Sequence, residues 1–434
     1  MIGAQVLRFS GPVEDLSETE CDALFARAAK EDPSIVQRAL SIVDDVRARG
    51  DSALRELALA LDGVSLDAFE VPRKTIRDAL ESTPPDVRRS LERAAGNIAT
   101  VHRAFMPASM EVESEPGILI GRRPDPLQRV GVYAPGGRAA YPSSVLMGAI
   151  PARVAGVAEV ILCSPPGPDG VPPRSVLAAA ALAKVDRVFA IGGAGAIAAM
   201  AYGTASVPPV DRIVGPGNAY VAAAKLLVVR QVAIDSPAGP SELIVIADES
   251  ADASVVATEM VAQAEHDPLA CVIAVAVGEG TAARIEQALV ELVERADRGE
   301  IVREALAGQG GVLRVSTIDD AVAFANRYAP EHLLLCVSDP DAALRSVRNA
   351  GTVFLGERAS VAFGDYMTGA NHVLPTGGLA RSYSGLSPLD FVRWTTYQRI
   401  SAGAAKRLAN DVGVFADAES LPGHAAAARQ WSVR

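Results

Sequence analysis

A chain of 434 residues, 49% apolar and 21% charged, can bury more than one core, and its 5% aromatic content suits short strands alternating with small-residue helices. Its formal net charge of -11 argues against a nucleic-acid or anionic-membrane surface, since both need clustered cations, and leaves small-molecule chemistry as the expected task. The start MIGAQVLRFSGPVEDL lacks a basic segment followed by an apolar core, and no uninterrupted apolar run is long enough to span a bilayer, so the chain is expected to be cytoplasmic.

In chain order, residues 14 to about 108 read as helical. Asp32 caps, Pro33 suits the first helical position, Gly50 stops the helix, and Ile35, Ala39, Ile42 and Val46 form one apolar stripe. Helices over 51–61 and 85–105 follow, the second carrying His102 as a solvated or capped residue. From Gly117 the texture changes to strand, glycine turn and helix: GILIGRR, RVGVYAPGG, EVILCSPP, RVFAIGGAG, DRIVGPGN, QVAID and SELIVIAD. A second series runs from Leu243 to about Leu355. Cys163, Cys271 and Cys336 lie in apolar strand-like runs and read as reduced packing residues, and Cys21 as another free thiol.

The expected fold class is α/β, with two Rossmann-like but incomplete parallel-sheet domains. Residues 1–128 form an N-terminal helical region, 129–238 a nucleotide-type α/β domain, and 239–380 a second α/β domain packing with 1–128. Residues 381–434 are a tail too short to own a core, which must dock on its own chain or on a partner subunit.

Four constellations carry chemistry. Gly193, Gly195 and Ala198 satisfy G-x-G-x-x-G/A between a strand and a helix, a spacing that three small residues for helix packing would satisfy equally well. Asp211 falls a little short of the spacing of about 20 residues expected of a ribose-binding acid. GVYAPGG (131–137) and VGPGN (214–218) are two more backbone-exposing turns at the same sheet edge, which together favour a dinucleotide site. Gln263 and His266, three apart before the helix-ending Pro268, share a face, and with Asp365, His372 and His424 they supply donors for a divalent ion, zinc first. Glu331 and His332, in APEHLLL, suit a general-base pair at a strand entrance, or a solvated pair after a helix-ending proline. The stretch 363–378, FGDYMTGANHVLPTGG, reads as an ordered loop bearing Asp365 and His372.

The order and spacing of VGVYAPGG, VGPGNAYVAAAK, IDSPAGPSE, QAEHDP, APEHL, GDYMTGANHVLPTGG and ESLPGH resemble the histidinol dehydrogenase family, from about Asp32 to His424. That resemblance implies an NAD-dependent oxidation of L-histidinol to L-histidine through histidinaldehyde, by a homodimer with one Zn2+ per subunit. It implies that zinc is held by Gln263, His266 and Asp365, with His424 arriving from the partner's tail. Ser241, His372 and Glu419 match further substrate contacts, Glu419 also from the partner; the metal-holding residues and His332 face the same substrate. Glu331 and His332 match the acid/base pair, and Tyr133 and Asn218 the NAD contacts. On this reading 129–238 binds NAD, 239–380 carries the metal and the acid/base residues, and 381–434 completes the partner's site.

One departure stands out: where the family reads GGAQAIAA this chain has Gly195, so NAD is expected to bind through backbone groups, more weakly. A paralogous dehydrogenase of another primary alcohol, such as a hydroxysulfonate, is the alternative that His372 and Glu419 oppose. A catalytically silent zinc-binding dimer is opposed by intact Glu331 and His332.

Overall fold

The computed structural model describes residues 7–25, 27, 32–136 and 140–433. Gly137, which closes the GVYAPGG turn, lies outside the described residues, as do Met1–Val6.

The first sheet has five parallel strands in the order Arg187–Ala190, Glu159–Ser164, Arg129–Tyr133, Arg212–Val214, Ala233–Ile234. Its central strands are apolar without alternation because helices cover both faces; Val130, Val132, Ile161 and Leu162 are fully buried. The crossover helix Gly193–Tyr202 is apolar all round, every residue from Ala194 to Ala201 is buried, and so it needs cover on its outer side as well.

The N-terminal helices supply that cover. Pro33–Arg49 is capped as expected, Ser34 N–H donating to Asp32 Oδ1 at 2.8 Å, and ends at Gly50 with φ 56°. Its buried face, Ala39, Val43 and Val46, packs on Gly193–Tyr202 and Ala219–Val228. Arg73–Glu81 lies on Arg174–Leu182, and Pro85–Ala104 on Pro142–Ala155. His102, expected at the surface, is only 1% exposed, because it continues the buried stripe of Ala94 and Ile98 at four-residue spacing.

The second sheet has six parallel strands in the order Phe9–Pro12, Gly310–Val315, Cys271–Val277, Glu242–Ala247, His332–Cys336, Thr352–Leu355, with an apolar core on each face. The N-terminal region is therefore divided. Phe9–Pro12 and the helix Glu18–Phe25 belong with the second sheet, whereas the helices from Pro33 to Ala104 share a core with the first, where the apolar crossover helices need cover.

Ile118–Pro126, expected to lead into the first parallel sheet, instead pairs antiparallel with Met110–Glu115 and with Val392–Ile400 of the tail. The tail thus docks on its own chain through nine paired residues before the helices Ala402–Ala418 and Pro422–Arg429. Val412, Phe415, Leu421 and Val433 on this terminal segment are exposed. Among the described residues no helix is long and apolar enough to cross a membrane.

Candidate functional site

Two sites lie at strand ends. One gathers where strands of the second sheet begin, the other where strands of the first sheet end.

Helix Ile318–Tyr328 stops at Ala329, whose φ of 53° is unusual for a residue with a side chain and turns the chain sharply inward. Pro330 prevents the helix from resuming, and Glu331 and His332 enter the core 6% and 3% exposed. The chain approaches so closely here that a Cβ on Gly351 would stand 2.6 Å from the Glu331 carbonyl oxygen. His332 Nδ1 lies 3.0 Å from the Glu242 carbonyl oxygen. A carbonyl only accepts, so Nδ1 carries the proton in the neutral ring and Nε2 is the basic atom. Nε2 is buried without a hydrogen-bond partner and stands 3.7 Å from Asp365 Oδ1.

Glu331 Oε2 is 3.5 Å from His332 Nδ1 and accepts the Glu242 N–H at 2.8 Å. Burial raises the Glu331 pKa, against the pull of His332. Burial works to depress His332, but the Glu331 and Asp365 carboxylates outweigh it and leave its pKa raised.

Asp365, expected in a loop, sits on the short helix Val361–Tyr366. Burial would raise its pKa, and His332 beside it holds it below the usual carboxylate value. His372 places Nδ1 2.9 Å from the Asp365 carbonyl oxygen, and burial pushes its pKa down, so it is a neutral ring with Nε2 as acceptor. Gln263 occupies the last turn of Ala253–Ala264, a helix capped by Asp252; it is 3% exposed and its Nε2 has no partner. Glu259 on the same helix accepts the Val361 N–H at 3.1 Å, tying Gln263's helix to that of Asp365. His266 follows the helix end and lines a cleft of about 430 Å³ with Tyr141, Tyr366 and Met367.

Glu242 escaped the sequence reading, hidden at the head of the apolar strand SELIVIAD. Its buried carboxylate takes Arg27 Nε at 2.8 Å, Arg27 Nη2 at 3.0 Å and the Gly377 N–H at 2.8 Å, so one side chain joins the N-terminal segment, the strand Glu242–Ala247 and the 363–378 stretch. Ser241 precedes it, its carbonyl accepting from Cys271 N–H at 2.9 Å. Glu419 and His424 are exposed on the terminal helical segment, and no hydrogen bond or ion pair links them to this cluster.

An amide, an imidazole and a carboxylate (Gln263, His266, Asp365) are a donor set suited to a borderline divalent ion, the amide through its oxygen. Among the described residues no group of three His, Cys, Asp or Glu side chains is placed to hold a metal.

The second site is a cleft of about 530 Å³ at the carboxyl ends of the first sheet, the edge where open α/β sheets take ligands. Tyr133, Pro165, Gly192, Gly193 and Asn218 line one side, and Leu57, Asp62 and Arg38 the other. The Tyr133 hydroxyl accepts the Gly193 N–H at 3.0 Å, and Asn218 Oδ1 caps its helix through Tyr220 and Val221 N–H at 3.1 and 3.2 Å. Asp211 instead spends its carboxylate on the Gln128 and Arg129 N–H groups, both at 2.9 Å, and does not line the cleft. The acid that does is Asp62, which no motif spacing announces. Gly195 lines it too; a Cβ there would meet Leu57 Cδ1 at 3.1 Å and Leu54 Cδ2 at 3.4 Å.

Residues 25–431 match the family model described as histidinol dehydrogenase. The chain is 45% identical over 407 residues to the histidinol dehydrogenase of Methanothermobacter thermautotrophicus, covering 94% of this chain and 96% of that one. It is 47% identical over 415 residues to that of Halobacterium salinarum, covering 95% and 97%. The crystal structure of histidinol dehydrogenase from Elizabethkingia anophelis superposes with a TM-score of 0.93 at 31% identity, over 98% of each chain.

Proposed function

Because the chain belongs to the histidinol dehydrogenase family, oxidoreductases of histidine biosynthesis, we propose that it takes L-histidinol to L-histidine by two successive oxidations at one carbon, with Glu331 and His332 handling the protons. The observation that carries this reading is the bare, buried Nε2 of His332, fixed by the Glu242 carbonyl on one side and facing Asp365 on the other.

In the first oxidation His332 Nε2 takes the hydroxyl proton of the alcohol as hydride leaves the adjacent carbon. Glu331, its pKa raised by burial, then deprotonates water for addition to the aldehyde while His332 returns its proton to the aldehyde oxygen, and the freed Nε2 takes a proton from the hydrate as the second hydride leaves. NAD, when bound across Tyr133 and Asn218, supplies the hydride acceptor, one molecule for each oxidation. Zinc, when held by Gln263, His266 and Asp365, supplies an anchor for the substrate's imidazole and amino group. His372 and Ser241 contact the substrate. Glu419 and His424, exposed in their own subunit, complete the site of the partner in a homodimer. The exposed Phe415 and Leu421 beside them support that assembly, since apolar side chains on a terminal helix favour cover.

The test is NADH formation from histidinol by the purified protein, with and without a chelator. Two NADH per histidine, lost on chelation, is expected. Reduction of NAD with a hydroxysulfonate and not with histidinol would overturn the proposal.

A further inference from the structure

Beneath the cofactor cleft the first sheet buries an ion pair that no ligand atom needs to touch. Lys225, on the helix Ala219–Val228, pairs with Asp235, just past the strand Ala233–Ile234, and their side chains are 5% and 3% exposed. Both also grip one peptide unit. Asp235 Oδ2 accepts the Gly215 N–H at 2.7 Å, and Lys225 Nζ donates to the Gly215 carbonyl at 3.1 Å. Gly215 opens the turn that ends in Asn218. Its φ is 117°, and a Cβ there would overlap the Tyr133 carbonyl oxygen, so the turn presses directly on the strand end that carries Tyr133. Tyr133 in turn receives the Gly193 N–H. Asn218, Tyr133 and Gly193, three walls of the cleft, are thereby connected to a single clasped peptide.

A buried ion pair is a poor source of stability, because desolvation roughly cancels the attraction and an apolar pair of similar shape serves as well or better. What this pair does that an apolar pair cannot is hold the donor and the acceptor of the same turn at once. We propose that Lys225 and Asp235 are positioning residues for the dinucleotide, fixing the Gly215–Asn218 turn at the distance from Tyr133 that the cofactor requires. The inference rests on the reading of this cleft as the NAD site.

The experiment measures NADH binding by fluorescence titration and histidinol binding by calorimetry, on the intact enzyme and on two double variants whose folding is checked by thermal melting. Lys225→Met with Asp235→Leu replaces the pair by apolar side chains and is expected to raise the NADH dissociation constant about tenfold, the scale of two lost hydrogen bonds, while histidinol affinity stays at the parent's value. Lys225→Gln with Asp235→Asn keeps a donor for the Gly215 carbonyl and an acceptor for its N–H, and is expected to recover most of that loss. Should the apolar pair not fold, Lys225→Arg carries the same expectation, because its longer, forked head must displace the turn. Parent-like NADH affinity in a folded apolar variant, or in Lys225→Arg where that variant serves, would overturn the inference alone. A parent that binds no NADH would overturn the cofactor reading and this inference with it.

Discussion

His332, Asp365 and His372 are each anchored through a different atom, and that separates their consequences. Asp365 meets His332 through its carboxylate and His372 through its backbone carbonyl, so removing its side chain leaves the His372 anchor in place. Asp365→Ala is therefore expected to lose bound metal and turnover together, as read by metal analysis and NADH production. His372→Ala should keep the metal and chiefly raise the histidinol Michaelis constant. Gly195 requires a compound change. Leu57 and Leu54 stand where a side chain would emerge, so Gly195→Gln alone is expected to leave the NAD Michaelis constant undiminished. Paired with Leu57→Ala it should lower that constant about fivefold, one hydrogen bond's worth; no gain in the pair would show that the glutamine has no role here. Glu331, His332, Asp365 and His372 were legible because they are chemically active types in Gly- and Pro-flanked segments. Glu242 was not, because its meaning depends on Arg27, 215 residues away.

The helix Pro85–Ala104 carries a titration that its own sequence conceals. His102 is buried with neither ring nitrogen hydrogen-bonded, its ring edge-on to Phe105 at 6.1 Å, and burial pushes its pKa from 6.5 down to about 4. Below 6.5 the unfolded chain takes up a proton that the folded chain refuses, so this residue lowers stability as pH falls from 6.5 toward about 4 and has little effect above. Relative to the parent, His102→Leu should gain about 2 kcal/mol between about pH 7 and about pH 5, measured by urea melts of both proteins at each pH so that other groups cancel. An equal difference at the two pH values would sink the idea. The period of the helix places His102 on the buried stripe of Ala94 and Ile98, while Arg103 and Ala104 face out; its polar side chain hid that position. Another limit explains Ile118–Pro126: its residues read correctly as a strand, but its partner Val392–Ile400 lies far along the chain, and nothing local distinguishes an antiparallel neighbour from a parallel one. Likewise 363–378 shows turn residues throughout, yet its first residues are held helical by packing, the Val361 N–H bonding to Glu259.

In the whole molecule, residues assigned to one active site sit in two places: the cluster around His332 is buried at the head of the second sheet, while Glu419 and His424 are exposed on the terminal helices. If each site joins one subunit's cluster to the other's tail, inactive His332→Asn and inactive His424→Ala subunits, mixed and reassociated in equal amounts, should recover about a quarter of parental activity, since half the dimers are mixed and each then has one intact site. No recovery would refute the shared site. The division of the N-terminal region bears on how the chain acquires its shape. The helices from Pro33 to Ala104 and the first sheet supply nearly all of one core, and both have been made once residue 238 has emerged from the ribosome. Phe9–Pro12 was synthesised before either, yet its partner Gly310–Val315 lies roughly two thirds of the chain further on. The first strand to be made is thus among the later ones to find its sheet, and the half built on the first sheet can assemble during translation while the half built on the second waits for its beginning and its end to meet.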